Sequence, residues 1–183
     1  MYNYTVSIIV SFFAMSFVGT SYFTKKKSLY LTLQALGIIF LILSYFFTEK
    51  FLPMIAQVIA FTRTYVFFWY EKKNKLAPLG LAFLFSSLSI SAFIILNVII
   101  MKNATIWDIL YVISLCLYTF SFRIRNLKVM RYVLLAPNGL STFYNFIIKA
   151  PIFATISYAF ELLANIVSII KYNFIGRRII KKK

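Results

Sequence analysis

Histidine is absent from this chain, cysteine occurs once, and only four residues are acidic. These shortages remove most catalytic classes at once. Without an imidazole there is no Ser-His constellation, and one thiol with four carboxylates offers too few ligands for a usual zinc site. A hydrolase or transferase using Asp108 and Glu161 would need both carboxylates at one depth, and their positions along the chain put them at different depths. No enzyme activity, cofactor or metal is therefore expected. Cys116 lies alone within an apolar run, so no intrachain disulfide forms and the redox compartment stays open.

Charge is also scarce. Charged residues make up 13% of the 183 and hydrophobic ones 62%, with a mean hydropathy of +0.85, whereas soluble domains carry about 25% charged residues. Apolar runs follow one another with little between them, over 4–23, 29–47, 53–70, 80–101, 106–122, 130–148 and 152–170. Each approaches or reaches the roughly 17–25 residues with which a helix crosses a bilayer. Runs such as ISAFIILNVII lack the alternation of a transmembrane strand, which excludes a barrel. The fold class expected is an all-α polytopic membrane protein of seven transmembrane helices. No linker or low-complexity stretch divides it, so residues 1–183 form one membrane domain.

The net charge of +16 invites a nucleic-acid reading, but its distribution argues otherwise. If seven helices alternate, Lys25 to Lys27, Lys72, Lys73, Lys75, Arg123, Arg125, Lys128, Arg131, Lys171, Arg177, Arg178 and Lys181 to Lys183 fall on one side, against Lys50, Lys102 and Lys149 on the other. Such asymmetry is the positive-inside pattern; it places the N-terminus outside and the C-terminus in the cytoplasm. The lipid bilayer is the expected partner and nucleic acid is not. The first run has no basic residue before it and KKK after it, the reverse of a cleavable signal peptide. Residues 173–183 read as a basic cytoplasmic tail, a topological anchor that could also lie on anionic lipid.

The loops repeat. Helices 1 to 3 (4–70) are joined by a basic loop, TKKKS, and a short one, TEK; helices 5 to 7 (106–172) are joined by RIRNLK and KAP. A shift of 102 residues superposes the triplets without a gap, bringing Tyr30 onto Tyr132, Gly37 onto Gly139 and Phe51 onto Phe153. Helix 4 (80–101) is then a linker. Because three is odd, this extra span restores the orientation of the second triplet and gives a parallel 3+1+3 repeat, of the kind that places a transport site at the midplane. The plan resembles that of SWEET sugar transporters and PQ-loop proteins in architecture only, since helices 1 and 5 lack a Pro-Gln pair.

Polar residues inside the runs mark the candidate site. Ser157, Tyr158, Glu161, Asn165 and Ser168 share one stripe of helix 7, and Asn138, Ser141, Thr142, Asn145 and Lys149 one stripe of helix 6. Those faces must meet protein or water, either as a wet cavity or as hydrogen bonds that hold the bundle together. Arg63 in helix 3 and Glu161 in helix 7 lie near mid-bilayer. An arginine at a helix centre costs about 2.5–3.5 kcal/mol on insertion scales, so pairing with Glu161 is expected, whether functional or as a structural pair that fixes register. Gln57 faces another way and should bond a neighbouring helix. Pro137 frees a carbonyl and can let helix 6 bend, Pro53 and Pro151 begin helices, and Asp108 is either a helix-start charge or a cavity residue.

The stretch MRYVLLAPNGLSTFYNF followed by ELLANIVSIIKY resembles the second half of the YgjV family of bacterial inner-membrane proteins, with Arg131, Asn145, Glu161 and Asn165 at matching positions. The first half is similar in its basic inner loop and in Arg63. Gln57 and Tyr144 stand where that pattern has Asn and His. The resemblance implies a small protein of the bacterial inner membrane and no particular activity. The function expected from the residues is transport of a small polar solute, with Arg63, Asn138, Asn145, Glu161 and Asn165 as its binding residues. A non-transporting scaffold or accessory protein is the alternative, and a homo-oligomer is compatible with either. Cysteine-accessibility labelling checks the topology: the loops at 48–51 and 149–151 should react from outside intact cells, and those at 24–28, 71–78 and 123–129 only after permeabilisation. External labelling of 71–78 would overturn it.

Overall fold

A computed structural model describes the backbone of residues 2–47, 51–100, 102, 105–147 and 152–180 and the side chains of 5–47, 54–100, 102, 105–147 and 155–172. Each apolar run is a helix: α1 Tyr2–Ser21, α2 Lys27–Phe47, α3 Phe51–Lys72, α4 Leu79–Phe93, α5 Asp108–Arg123, α6 Leu127–Ile147 and α7 Ile152–Ile180. No strand occurs among the described residues. The physical reason is local: in an apolar medium a helix is the element that bonds its own backbone N–H and C=O groups without help from another segment. Two of the helices, Lys27–Phe47 and Leu79–Ile100 (α4 with its continuation), are long and apolar enough throughout to cross a membrane.

Three features depart from the sequence reading or refine it. The last turns of the fourth run, Ile94–Ile100, widen into a π-helix whose buried residue is Asn97. Pro137 leaves α6 continuous from Leu127 to Ile147, and the Ser114 hydroxyl donates to its carbonyl at 3.1 Å. Within the stretch read as a basic tail, α7 continues to Ile180, because nothing between Lys171 and Ile180 breaks a helix except a single glycine. Lys50, Lys149, Pro151 and Lys181 to Lys183 lie outside the described residues.

Helix neighbours follow a closed order. α1 packs on α2, α2 on α3, α3 on α5, α5 on α6, α6 on α7, and α7 returns to α1, while α4 lies against α3 and α5. At one end, the basic end, Tyr22 meets Tyr30 edge-on with centroids 5.4 Å apart, and Phe122 packs edge-on against Tyr30 at 6.2 Å and Phe67 at 6.5 Å. This aromatic cluster ties α1, α2, α3 and α5 together. α3 ends in a Schellman motif: Asn74 adopts φ 54, its N–H donates to the Glu71 carbonyl at 2.9 Å, and the Lys75 N–H donates to the Tyr70 carbonyl at 3.0 Å.

The surface is inverted relative to a water-soluble protein. Phe12, Phe83, Leu84, Ile99, Phe146 and Leu163 are exposed, whereas Ser7, Ser11, Gln34, Thr64, Ser114, Asn138 and Asn165 are buried. The Ser44 hydroxyl shares hydrogen bonds with the α1 hydroxyls of Ser7 at 2.7 Å and Ser11 at 2.6 Å. Small and hydroxyl-bearing residues between helices with apolar residues outside is the pattern expected when the surrounding solvent is itself apolar.

Gly37 shows the closeness of α1 and α2: a Cβ there would meet Val18 Cγ2 at 2.5 Å and the Ala14 carbonyl oxygen at 3.1 Å. Gly139 of α6 has open space where a Cβ would sit. Gly37→Ala should therefore destabilise the protein by about 1–3 kcal/mol, and Gly139→Ala should be neutral or stabilising by up to about 1 kcal/mol. Thermal unfolding of both variants in detergent checks this.

Candidate functional site

The six helices of the closed order each send a polar side chain toward one another near the basic end. Glu161 of α7 accepts a hydrogen bond on Oε1 from the Tyr22 hydroxyl, just past α1, at 2.7 Å. The Tyr22 oxygen accepts from Asn138 Nδ2 of α6 at 3.0 Å, and Asn138 Oδ1 accepts from the Tyr118 hydroxyl of α5 at 2.5 Å. The Tyr118 ring lies 5.9 Å from the guanidinium carbon of Arg63 in α3. From α2, Gln34 Nε2 donates to Tyr30 at 3.2 Å and Ser21 at 3.0 Å. A chain of polar contacts thus runs from carboxylate to guanidinium through two tyrosines and an asparagine.

Arg63 and Glu161 do not form the ion pair expected from their similar depth. Arg63 Nη1 donates to Thr119 Oγ1 at 3.0 Å and to the Leu115 carbonyl at 3.2 Å, and its guanidinium lies over Phe122 at 5.1 Å. The reason is the order of helices. α3 and α7 stand across the ring from each other, so Arg63 spans the contact between α3 and α5, and Glu161 spans the contact between α7 and α1. The cation–π contacts and hydrogen bonds stabilise the guanidinium where a carboxylate was expected; a desolvated cation–π contact contributes about 2 kcal/mol. Arg63 is 5% exposed and its Nε has no partner.

The other candidate residues are dispersed. Asn165 is fully buried, donates from Nδ2 to the Arg131 carbonyl at 3.0 Å, and has no partner for Oδ1. Asn145 bonds back to the Ser141 carbonyl of its own helix at 2.7 Å, nearer the opposite end. The two polar stripes are largely occupied by protein partners: Ser114 bonds Ser141, Thr142 bonds the Asn138 carbonyl, Ser168 bonds the Asn165 carbonyl, and Tyr158 accepts from Gln57 at 3.5 Å. Gln57 of α3 thus reaches across the ring to the polar stripe of α7, not to an adjacent helix as expected. The expectation of a continuous wet face is replaced by hydrogen bonds between and within helices.

Asp108 serves the start of α5. Its Oδ2 accepts from the Thr105 N–H at 2.6 Å and hydroxyl at 3.0 Å, and its Oδ1 accepts from Tyr144 at 2.6 Å, whose ring stacks on Tyr111 at 4.9 Å. At the basic end Arg131, 3% exposed, reaches the Thr24 carbonyl beneath Tyr172, and the Tyr172 hydroxyl donates to the Phe23 carbonyl at 2.5 Å. Arg131 is therefore a buried clasp between α6 and the end of α1 and not a free loop charge.

Sequence reasoning missed Tyr22, Gln34, Tyr118 and Thr119. Gln34 was legible, as the one amide within the apolar run of α2. The tyrosines were not: the chain has 13, and tyrosine at a run's edge ordinarily anchors a helix at the membrane surface.

An all-helical protein with an apolar exterior, a hydrogen-bonded polar interior and helices fit to cross a bilayer belongs to the helical membrane proteins. A sequence model of the bacterial inner membrane protein family Imp-YgjV matches residues 5–174, and the chain belongs to that family. Neither a curated protein nor a solved structure matches it.

The Tyr22 hydroxyl joins Glu161 and Asn138, so Tyr22→Phe leaves both short of a partner and should cost about 1–3 kcal/mol. In a double-mutant cycle Tyr22→Phe and Glu161→Gln should couple by about 0.5–3 kcal/mol, and Arg63→Gln with Glu161→Gln by less than about 0.5 kcal/mol. Unfolding midpoints of the single and double variants in detergent measure both couplings.

Proposed function

We propose that this protein carries a small polar solute across the bacterial cytoplasmic membrane, through the polar centre where its first three and last three helices meet. The observation that carries the reading is the pair of opposite, mutually unpaired charges, Arg63 and Glu161, each at one of the two contacts between the triplets. Intramembrane ionisable residues are functional candidates by default, and these two sit where relative movement of the triplets would expose them.

The neighbour order supports a parallel 3+1+3 repeat. Exchanging α1 with α5, α2 with α6 and α3 with α7 turns the α1–α7 contact into the α5–α3 contact and maps every contact of the first triplet onto one of the second. α4 is left as the linker on the outside. Seven spans, with the N-terminus outside and the C-terminus in the cytoplasm, follow from the charge asymmetry. The likeness to SWEET and PQ-loop transporters is one of helix order alone.

In the mechanism proposed, an anionic group of the solute replaces Thr119 and the Leu115 carbonyl at Arg63, and a cationic group or proton replaces the Tyr22 hydroxyl at Glu161. Asn138 supplies neutral hydrogen bonds between them, and Asn165 contributes its free Oδ1 from the α6–α7 side. Asn145 belongs to the same polar face nearer the other end. Each exchange removes a bond across a contact between triplets, which lets one side of the centre open while the other stays closed. The chemistry is binding and release, with no catalytic step.

Proteoliposomes loaded with a mixture of bacterial small metabolites test this, with efflux followed by mass spectrometry. Wild-type protein should release one or a few polar solutes, and Arg63→Gln or Glu161→Gln should slow release by about 10- to 100-fold while remaining folded. Absence of flux for every solute, with stable co-purification of another membrane protein, would favour the accessory role instead.

A further inference from the structure

A second charged feature lies apart from the polar centre, at the seam of the two triplets on the basic end. A shallow, solvent-open recess is lined by Lys27 from the start of α2, Glu71 from the end of α3, Lys75 and Ala77 from the segment before α4, Arg123 at the end of α5 and Arg125 just past it. Lys27 is 8% exposed and its ammonium sits 3.0 Å from Glu71 Oε2. That pair neutralises itself. Glu71, the one carboxylate among the lining residues, is taken by Lys27, which leaves Lys75, Arg123 and Arg125 around the recess without one.

The backbone places Lys75 and anchors Arg123 there. The Schellman turn at Asn74 brings Lys75 back over the end of α3. Arg123 Nε donates to the Ala77 carbonyl at 3.1 Å, which fixes the plane of its guanidinium. Arg125 is close enough to Lys27 for like-charge repulsion. Cations fixed at short range repel one another unless an anion lies between them. Guanidinium groups suit phosphate because their parallel N–H donors match its oxygens two at a time. The recess is shallow, with space inside for about one water, so a phosphate group would sit at its open mouth against the surrounding cations.

We infer that this recess binds a phosphate-bearing anion, held by Lys75, Arg123 and Arg125 with the Lys27–Glu71 pair as its floor. The same chemistry is offered by the headgroup of an anionic phospholipid and by soluble phosphate. Because the lining comes from α2 and α3 on one side and α5 on the other, the bound anion also ties the two triplets together at this end. The inference does not depend on transport, and its test reads binding alone.

The test uses the full chain in nanodiscs of phosphatidylcholine, with melting temperature recorded as dioctanoyl phosphatidylglycerol or inorganic phosphate is added. The recess variant is Lys75→Gln/Arg125→Gln, and Lys25→Gln/Lys128→Gln removes the same charge from exposed positions outside the recess; should the recess double variant not fold, Arg125→Gln alone replaces it. Wild-type protein should show a saturable rise with at least one probe, and the recess variant should need about tenfold more of it, with the control close to wild type. Saturation by the lipid but not by phosphate assigns a headgroup, and saturation by phosphate alone assigns a soluble anion. No saturable rise with either probe overturns the inference, as does a loss in the recess variant no greater than in the control.

Discussion

Most buried polar groups among the described residues find a partner inside the protein, because the faces turned outward are apolar; Arg63 Nε, Ser86 Oγ, Arg131 Nε and Asn165 Oδ1 are the exceptions. That constraint orders the structure. Serines and threonines either bond back to their own helix, as Thr64 does to the Ala60 carbonyl, or stitch neighbours together, as Ser7 and Ser11 do at Ser44. An unpartnered amide or hydroxyl in an apolar medium costs several kcal/mol, so such bonds help select which helix faces meet. The apolar contacts between helices discriminate less, since lipid would serve almost as well.

Charged side chains are the severest case. Arg63 cannot shed its charge, and it is accommodated by Thr119, a backbone carbonyl and the rings of Tyr118 and Phe122. Glu161 is accommodated by Tyr22. Neither arrangement is as strong as a direct ion pair in the same surroundings. A direct pair would have tied α3 to α7; instead Arg63 ties α3 to α5 and Glu161 ties α7 to α1.

Membership of a bacterial inner membrane family places the chain without giving it an activity. The transport reading rests on the polar centre and on the exchange symmetry of helix contacts. The recess at the basic end adds a distinct element, because an anion seated between Lys75, Arg123 and Arg125 would oppose separation of the triplets there while leaving the opposite end free.

The sequence by itself determined the class of protein, the number and approximate limits of its helices, the basic end and the identity of the polar residues within apolar runs. Those properties are local: run length, charge position and the helical period are all read along one segment. It also singled out Arg63, Asn138 and Glu161, which the structure brings into one centre. Partner choice was decided only by the tertiary structure. Helical periodicity tells which residues share a face but not which neighbour that face meets, and Arg63 and Glu161, alike in depth, stand on opposite sides of a closed ring of helices. For the same reason Tyr22 and Tyr118, indistinguishable from anchoring tyrosines along the chain, become the links between the charges once α1, α5 and α6 converge, and Asn145, in the same stripe as Asn138, is left to its own helix.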